Sequence, residues 1–109
     1  MKLFIDTSSS EKIVVGLDDK RFETKARQEK SQKLLPFIDE LLSSKGRSAS
    51  GRKKLTLKDI TEIEVNTGPG SFTGLRVGVS VANALGWALG VTVNGKDLRK
   101  GETIDIKYE

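Results

Sequence analysis

The chain has 109 residues, of which 36% are hydrophobic and 31% charged, a balance typical of one globular domain. No apolar run approaches the roughly 18 residues needed to cross a bilayer, so we expect no transmembrane helix. The sequence contains neither Cys nor His, which excludes disulfides, thiol chemistry, imidazole bases and Cys–His metal sites. The absence of Cys fits a reducing compartment, and we expect a cytoplasmic protein.

The net charge of +4 is partly concentrated in one polar segment between residues 45 and 58. Such a run is typical of a solvated loop, but it also fits contacts with RNA phosphates, because clustered cations release counterions from nucleic acid. Both interpretations remain open here. The candidate RNA contacts are Arg47, Arg52, Lys53 and Lys54, flanked by Lys45 and Lys58.

The N-terminal third predicts an antiparallel meander of three strands. The runs "KLFID", "KIVVGL" and "RFETKA" are separated by "TSSSE" and "DDK", which carry turn chemistry, and Phe22 is predicted to face the core. From Ser31, a candidate N-cap, the apolar period becomes helical up to a predicted stop at Gly46. The apolar positions of this first helix are Leu34, Leu35, Ile38, Leu41 and Leu42.

The second half predicts a strand in "DITEIEV", a glycine turn, a helix from Ser71 to Leu89 and a strand in "GVTV". The Asn94-Gly95 pair then predicts a turn, and "ETIDIKY" alternates like a half-buried strand. The predicted order is β-β-β-α-β-α-β-β, a mixed α/β fold. A strand, a glycine turn and a helix can bind phosphate, but "GPGSFTG" matches neither the Walker A loop nor the dinucleotide fingerprint.

Small residues recur every four positions along the second helix. Glycine inside a helix costs about 0.5–1 kcal/mol relative to alanine, so close backbone approach must return more than that. The stripe fits packing on this chain's own first helix or sheet, or docking of a partner helix, which we favour. Its members are Gly74, Gly78, Ala82, Gly86 and Gly90.

Three segments in order, "LFIDTSS", "SQKLLPFIDELL" and "GPGSFTGLRVGVSVANALGWALG", closely resemble the N-terminal lobe of the TsaB (YeaZ) family. The resemblance runs from about residue 3 to 93. It implies an actin-like, Hsp70-like (ASKHA, ribonuclease H-like) lobe, whose strand and helix order agrees with that predicted from the residues. Residues 94–109 do not match the family's usual continuation into a second lobe. We expect them to form a strand hairpin that closes the sheet edge of a single domain, residues 1–109.

The resemblance also implies a function in making threonylcarbamoyladenosine in bacterial tRNA. TsaB proteins are regarded as noncatalytic partners of TsaD, which transfers the threonylcarbamoyl group, and an ATPase, TsaE, joins the complex. We therefore expect a noncatalytic subunit, a homodimer where TsaD is absent, and ATP and metal on the partners and not on this chain. The missing His agrees, because the TsaD-like metal site requires histidines. An RNA-binding or self-associating accessory module is the alternative.

Carried over by position, the resemblance implies a helical contact with the partner and a phosphate loop at Asp6, Thr7 and Ser8, where turn capping is the simpler role. A peptidase is the remaining alternative, although Ser71 and Thr73 have no visible base. Where the family usually has His, this chain has Lys30. The implied interface residues are Leu35, Ile38, Leu42, Gly74, Gly78, Ala82 and Gly86.

Overall fold

A computed structural model of the chain describes residues 1–44, 55–102 and 104–106. Two single turns of 3-10 helix, Leu57–Asp59 and Leu98–Lys100, supplement the regular elements. In chain order the elements are β1 (Lys2–Asp6), β2 (Lys12–Leu17), β3 (Lys20–Lys25), α1 (Lys30–Ser44), β4 (Glu62–Val65), α2 (Phe72–Leu89) and β5 (Thr92–Val93).

The five strands form one mixed sheet in the order β3-β2-β1-β4-β5. The antiparallel pairs β1–β2 and β2–β3 confirm the predicted meander. On the other side of β1 the sheet becomes parallel, because β4 pairs with β1 and β5 pairs with β4 in the same direction. Helix α2 connects β4 to β5, as a parallel pair requires.

One face of the sheet carries the core, and both helices cover it and contact each other. The alternation of each strand places residues such as Leu3, Ile5 and Val15 on this face, all fully buried. Phe22 packs against the same core, as predicted. The opposite face is charged: the Lys2 ammonium, for example, lies 3.3 Å from the Glu64 carboxylate.

The two helices differ in how well their ends follow the prediction. Helix α1 already includes Lys30, so the prediction of Ser31 as its N-cap is wrong; the Glu29 carbonyl accepts the first helical hydrogen bonds. Helix α2 begins after Ser71, whose hydroxyl accepts a hydrogen bond from the Gly74 amide at 3.4 Å. It ends at Gly90, whose φ of 69° is the left-handed conformation that glycine adopts without strain.

The predicted turn after β5 is confirmed, because Asn94 and Gly95 have φ values of 50° and 80°. The strand predicted over 102–108 is absent from its described residues, 102 and 104–106. The physical reason is visible at Ile104, whose carbonyl accepts a 3.0 Å hydrogen bond from the Asn83 side chain on α2. The segment therefore packs on the helix instead of extending the sheet, with Ile104 and Ile106 buried as predicted.

Candidate functional site

The glycine turn between β4 and α2 packs closely on the loop that follows β1. The Ser71 amide donates to the Ser8 carbonyl at 2.8 Å. Gly70 has a φ of 156°, and a Cβ built on it would lie 2.5 Å from the Ser8 Cβ. Only glycine fits here, because a side chain would be excluded both by the backbone conformation and by Ser8.

Thr7 joins the end of β1 to the first turns of α2. Its side chain is completely buried. The hydroxyl donates to the Gly74 carbonyl and accepts from the Gly78 amide at 3.1 Å. The hydroxyl proton is therefore already used inside the fold and does not face a ligand.

A second group of hydrogen bonds converges on one carboxylate oxygen of Asp6. Its Oδ1 accepts from the Ser8 amide at 2.9 Å, the Ser8 hydroxyl at 2.6 Å and the Asn66 side-chain amide at 3.1 Å. Burial alone would raise the pKa of Asp6, but these hydrogen bonds, with the charge of Arg21, hold the pKa below its ordinary value. Asp6 and Ser8 thus cap the turn, and the carboxylate places negative charge where a phosphate loop needs positive groups.

The small-residue stripe of α2 faces this chain's own sheet. A Cβ built on Gly74 would fall 2.2 Å from the Thr7 carbonyl oxygen, and one on Gly86 would fall 2.4 Å from Val93 Cγ2. Gly78 is equally close to Thr7, and Ala82 is fully buried. The prediction that these four residues contact a partner is therefore wrong. Internal packing, the other reading of the stripe, is what the structure shows.

The residues predicted for the interface on α1 are divided between the core and the surface. Ile38 and Leu42 are fully buried in the core, so the prediction that they contact a partner is wrong as well. Leu35 is 44% exposed and is the one member of the predicted set that a partner could reach. Two residues of α2 that were not predicted as contacts, Phe72 and Trp87, are 45% and 59% exposed. The sequence signal that could have identified them is a large apolar side chain among small and polar neighbours.

The remaining predicted contacts are those of the basic segment. Arg47, Arg52, Lys53 and Lys54 lie outside the described residues, and Lys58 is exposed. Within the described ranges, no group of three or more acidic side chains is arranged to hold a metal ion. No helix in that part of the chain is both long and apolar enough to cross a membrane.

Comparison with solved structures defines the class of fold. The YeaZ protein from Pseudomonas aeruginosa superimposes with a TM-score of 0.65 at 26% identity, over 84% of this chain and 41% of its own. A second crystal structure, of an uncharacterized protein with similarity to peptidase YeaZ from Pseudomonas aeruginosa, gives the same TM-score. The chain is therefore a mixed α/β lobe of the actin-like, Hsp70-like (ASKHA) class, as the family resemblance implies.

Sequence comparison then gives the family. The model described as TsaD, tRNA N6-adenosine threonylcarbamoyltransferase, matches residues 24–95. The TsaB protein of Buchnera aphidicola is 32% identical over 69 residues, which cover 63% of this chain and 29% of that protein. TsaB of Escherichia coli is 36% identical over 58 residues, or 53% of this chain and 22% of its own length. The chain belongs to this family, in its TsaB (YeaZ) branch. It spans less than a third of the curated relatives it matches.

Proposed function

We propose that the chain is a noncatalytic subunit in the biosynthesis of tRNA threonylcarbamoyladenosine, and that it docks a TsaD-like catalytic subunit. The names of its TsaB relatives and the match to the TsaD family model support this proposal. The side chains available agree with it, since the sequence has no His or Cys, and one Asp6 carboxylate oxygen and the Thr7 hydroxyl are occupied by internal hydrogen bonds.

The single observation that carries docking is that both helices expose large apolar side chains. Leu35 on α1 and Phe72 on α2 each expose nearly half of their surface. Exposed large apolar side chains on adjacent helices are typical of a protein–protein contact. We therefore place the contact on these exposed side chains, and not on the buried stripe.

The test is light scattering coupled to size exclusion, on the chain alone and mixed with the TsaD of the same organism. We expect a one-to-one complex, and Leu35→Glu should weaken it at least about tenfold because a buried interfacial charge is costly. Gln32→Glu is the matched control, since Gln32 is also exposed on α1. A homodimer that ignores TsaD, or a Leu35→Glu variant that binds as tightly as the control, would contradict the proposal.

In this proposal the other components hold the groups that this chain lacks. ATP and metal bind to the TsaD-like subunit and to a TsaE-like ATPase. The complex works in the cytoplasm. When TsaD is absent, the chain forms a homodimer. Adding the TsaE-like protein and ATP to the purified pair should produce a larger complex. Scattering of the chain alone over a range of concentrations tests the homodimer.

A second function, RNA binding, is favoured by the run of cations from Lys45 to Lys58. We propose that this segment contacts tRNA phosphates, directly or once the complex has formed. Binding should weaken steeply with salt and on reversing the charges of Arg52, Lys53 and Lys54, whereas reversing Lys20 and Lys100 should have less effect. Salt-independent binding would exclude this contact.

A peptidase activity has less support than docking or RNA binding. The Ser71 hydroxyl caps α2, and no imidazole exists in the sequence to activate it. A serine-reactive fluorophosphonate probe should leave the chain unlabelled. Labelling at Ser71 that is lost in Ser71→Ala would overturn the noncatalytic assignment.

A further inference from the structure

A cavity of about 390 Å³ lies between the beginnings of α1 and α2. It adjoins the Thr7 hydrogen bonds, because Gly74 lines it and accepts from Thr7, and the proposed docking role does not use it. Polar and apolar residues line it, and two of them, Arg27 and Lys30, are cationic. The residues that matter are Ser10, Arg27, Lys30, Ser71, Thr73 and Gly74.

Lys30 is the unusual member of this lining, because its side chain is only 4% exposed. Its ammonium has three donors, but its one hydrogen bond is a long contact of 3.4 Å to the Arg27 carbonyl. No carboxylate of the described residues lies within 4.0 Å of this ammonium. Lysine is almost never buried without a partner, since burying an uncompensated charge is unfavourable. The group therefore lacks a counter-anion.

The rest of the cavity adds positive potential. A Cβ built on Gly74 would lie 3.6 Å from Lys30 Cε, so the lysine chain runs alongside the first turn of α2. A helix N-terminus carries partial positive charge. Arg27 also lines the cavity, and its largely exposed guanidinium lies 4.0 Å from the Glu11 carboxylate. Lys30 and the beginning of α2 thus give the cavity positive potential, and Arg27 is a second cationic residue of its lining.

We propose that this cavity binds a small oxyanion, with a phosphate group as its ligand class. The Lys30 ammonium would supply the buried charge and Arg27 a second cation. The hydroxyls of Ser10 and Thr73 would donate hydrogen bonds. The Ser71 hydroxyl accepts a hydrogen bond from Gly74 and keeps its own proton to donate to the anion. Hydroxyls and cations around a helix N-terminus are the groups that recognise phosphate in proteins.

The test uses the full chain alone and sodium phosphate as the probe, titrated by calorimetry at constant ionic strength. We expect binding with a dissociation constant below about 20 mM, weakened at least about tenfold in Lys30→Met. Lys33→Met is the matched control, because Lys33 is exposed on the same helix and pairs with Glu29 at 3.4 Å. The control should bind within about twofold of the parent chain.

Two further measurements keep the result interpretable. Thermal melts show whether Lys30→Met folds; if it does not, the exposed-site variants Arg27→Gln and Thr73→Val should each weaken binding about threefold or more. Titration with AMP distinguishes a nucleotide ligand from a simple oxyanion. AMP that binds more tightly than phosphate indicates a nucleotide, and AMP that binds equally well indicates a simple oxyanion. Absence of phosphate binding, or equal binding by a folded Lys30→Met, would overturn the proposal. Docking to TsaD does not enter this experiment.

Discussion

Replacing Gly78 with alanine tests the packing of α2 on the sheet. The added Cβ would lie 2.5 Å from the Thr7 hydroxyl oxygen and 3.3 Å from Ile5 Cγ2. Thr7 has no room to move away, because it is fully buried and its hydroxyl bonds to Gly74 and Gly78. The helix must therefore retreat from β1 by nearly an ångström to reach an ordinary contact distance.

The cost follows from three contributions. Overpacking a buried contact costs about 1–3 kcal/mol, and weakening the two Thr7 hydrogen bonds costs about 1 kcal/mol each. Alanine's better helix propensity returns about 1 kcal/mol. We expect Gly78→Ala to lower the free energy of unfolding by about 2–4 kcal/mol, which for a domain of this size lowers the Tm by about 10–25 °C.

Urea and thermal unfolding followed by circular dichroism would measure this loss. Ser80→Ala is the control, since Ser80 is exposed on the same helix and should change stability by only a few tenths of a kcal/mol, about the propensity difference. In a Thr7→Ala background the added cost of Gly78→Ala should fall to about 1 kcal/mol or less, because the obstructing oxygen is gone. A Gly78→Ala variant as stable as the parent would refute this account and reopen the stripe as an external surface.

Three other substitutions have defined outcomes. The pKa of Asp6 in the folded protein is lowered from 3.8, so its ionised form stabilises the protein above about pH 4. This contribution is lost as the pH falls through the lower folded pKa. Asp6→Asn should reduce that loss of unfolding free energy, measured by urea titrations from pH 6 to pH 2. Arg99 donates to two carbonyls at the end of α2, at 2.9 and 3.2 Å, so Arg99→Ala should cost about 1 kcal/mol by thermal melting and Lys100→Ala much less. Asn94 has a positive φ, and its side chain bonds both the amide and the carbonyl of Val65. Asn94→Ala should therefore lower the free energy of unfolding, measured in urea, by about 2–3 kcal/mol, and Asn94→Gly by about 1 kcal/mol less.

Much of the architecture follows from local patterns. Period-two alternation predicts the meander, and the helix predicted from Ser71 to Leu89 differs from α2 by one residue at its start. The Asn94-Gly95 pair predicts its turn because both residues tolerate a positive φ. The strand that alternation predicts after residue 101 is wrong, because the Asn83 side chain donates a hydrogen bond to the Ile104 carbonyl. That contact depends on tertiary placement, which a local pattern does not contain.

The candidate sites were harder to predict for a related reason. A stripe such as Gly74, Gly78 and Ala82 permits close approach by any neighbour, so periodicity alone does not say whether that neighbour is the chain's own strand or another protein. In α1, helical spacing groups Leu35 with the buried leucines although it lies at the edge of the apolar face. The burial of Lys30 was unforeseen because lysine is normally exposed.

The position of β1 in the sheet also bears on how the chain folds. Leu3 pairs with Leu17 on one side of β1 and with Ile63 on the other, so one edge is completed by nearby residues and the other by a distant strand. During synthesis the meander can form well before β4 leaves the ribosome, and closing the longer loop is slower. Until then β1 presents an open strand edge, the surface through which unfinished chains pair with one another. Pairing of β4 with β1 then closes that edge.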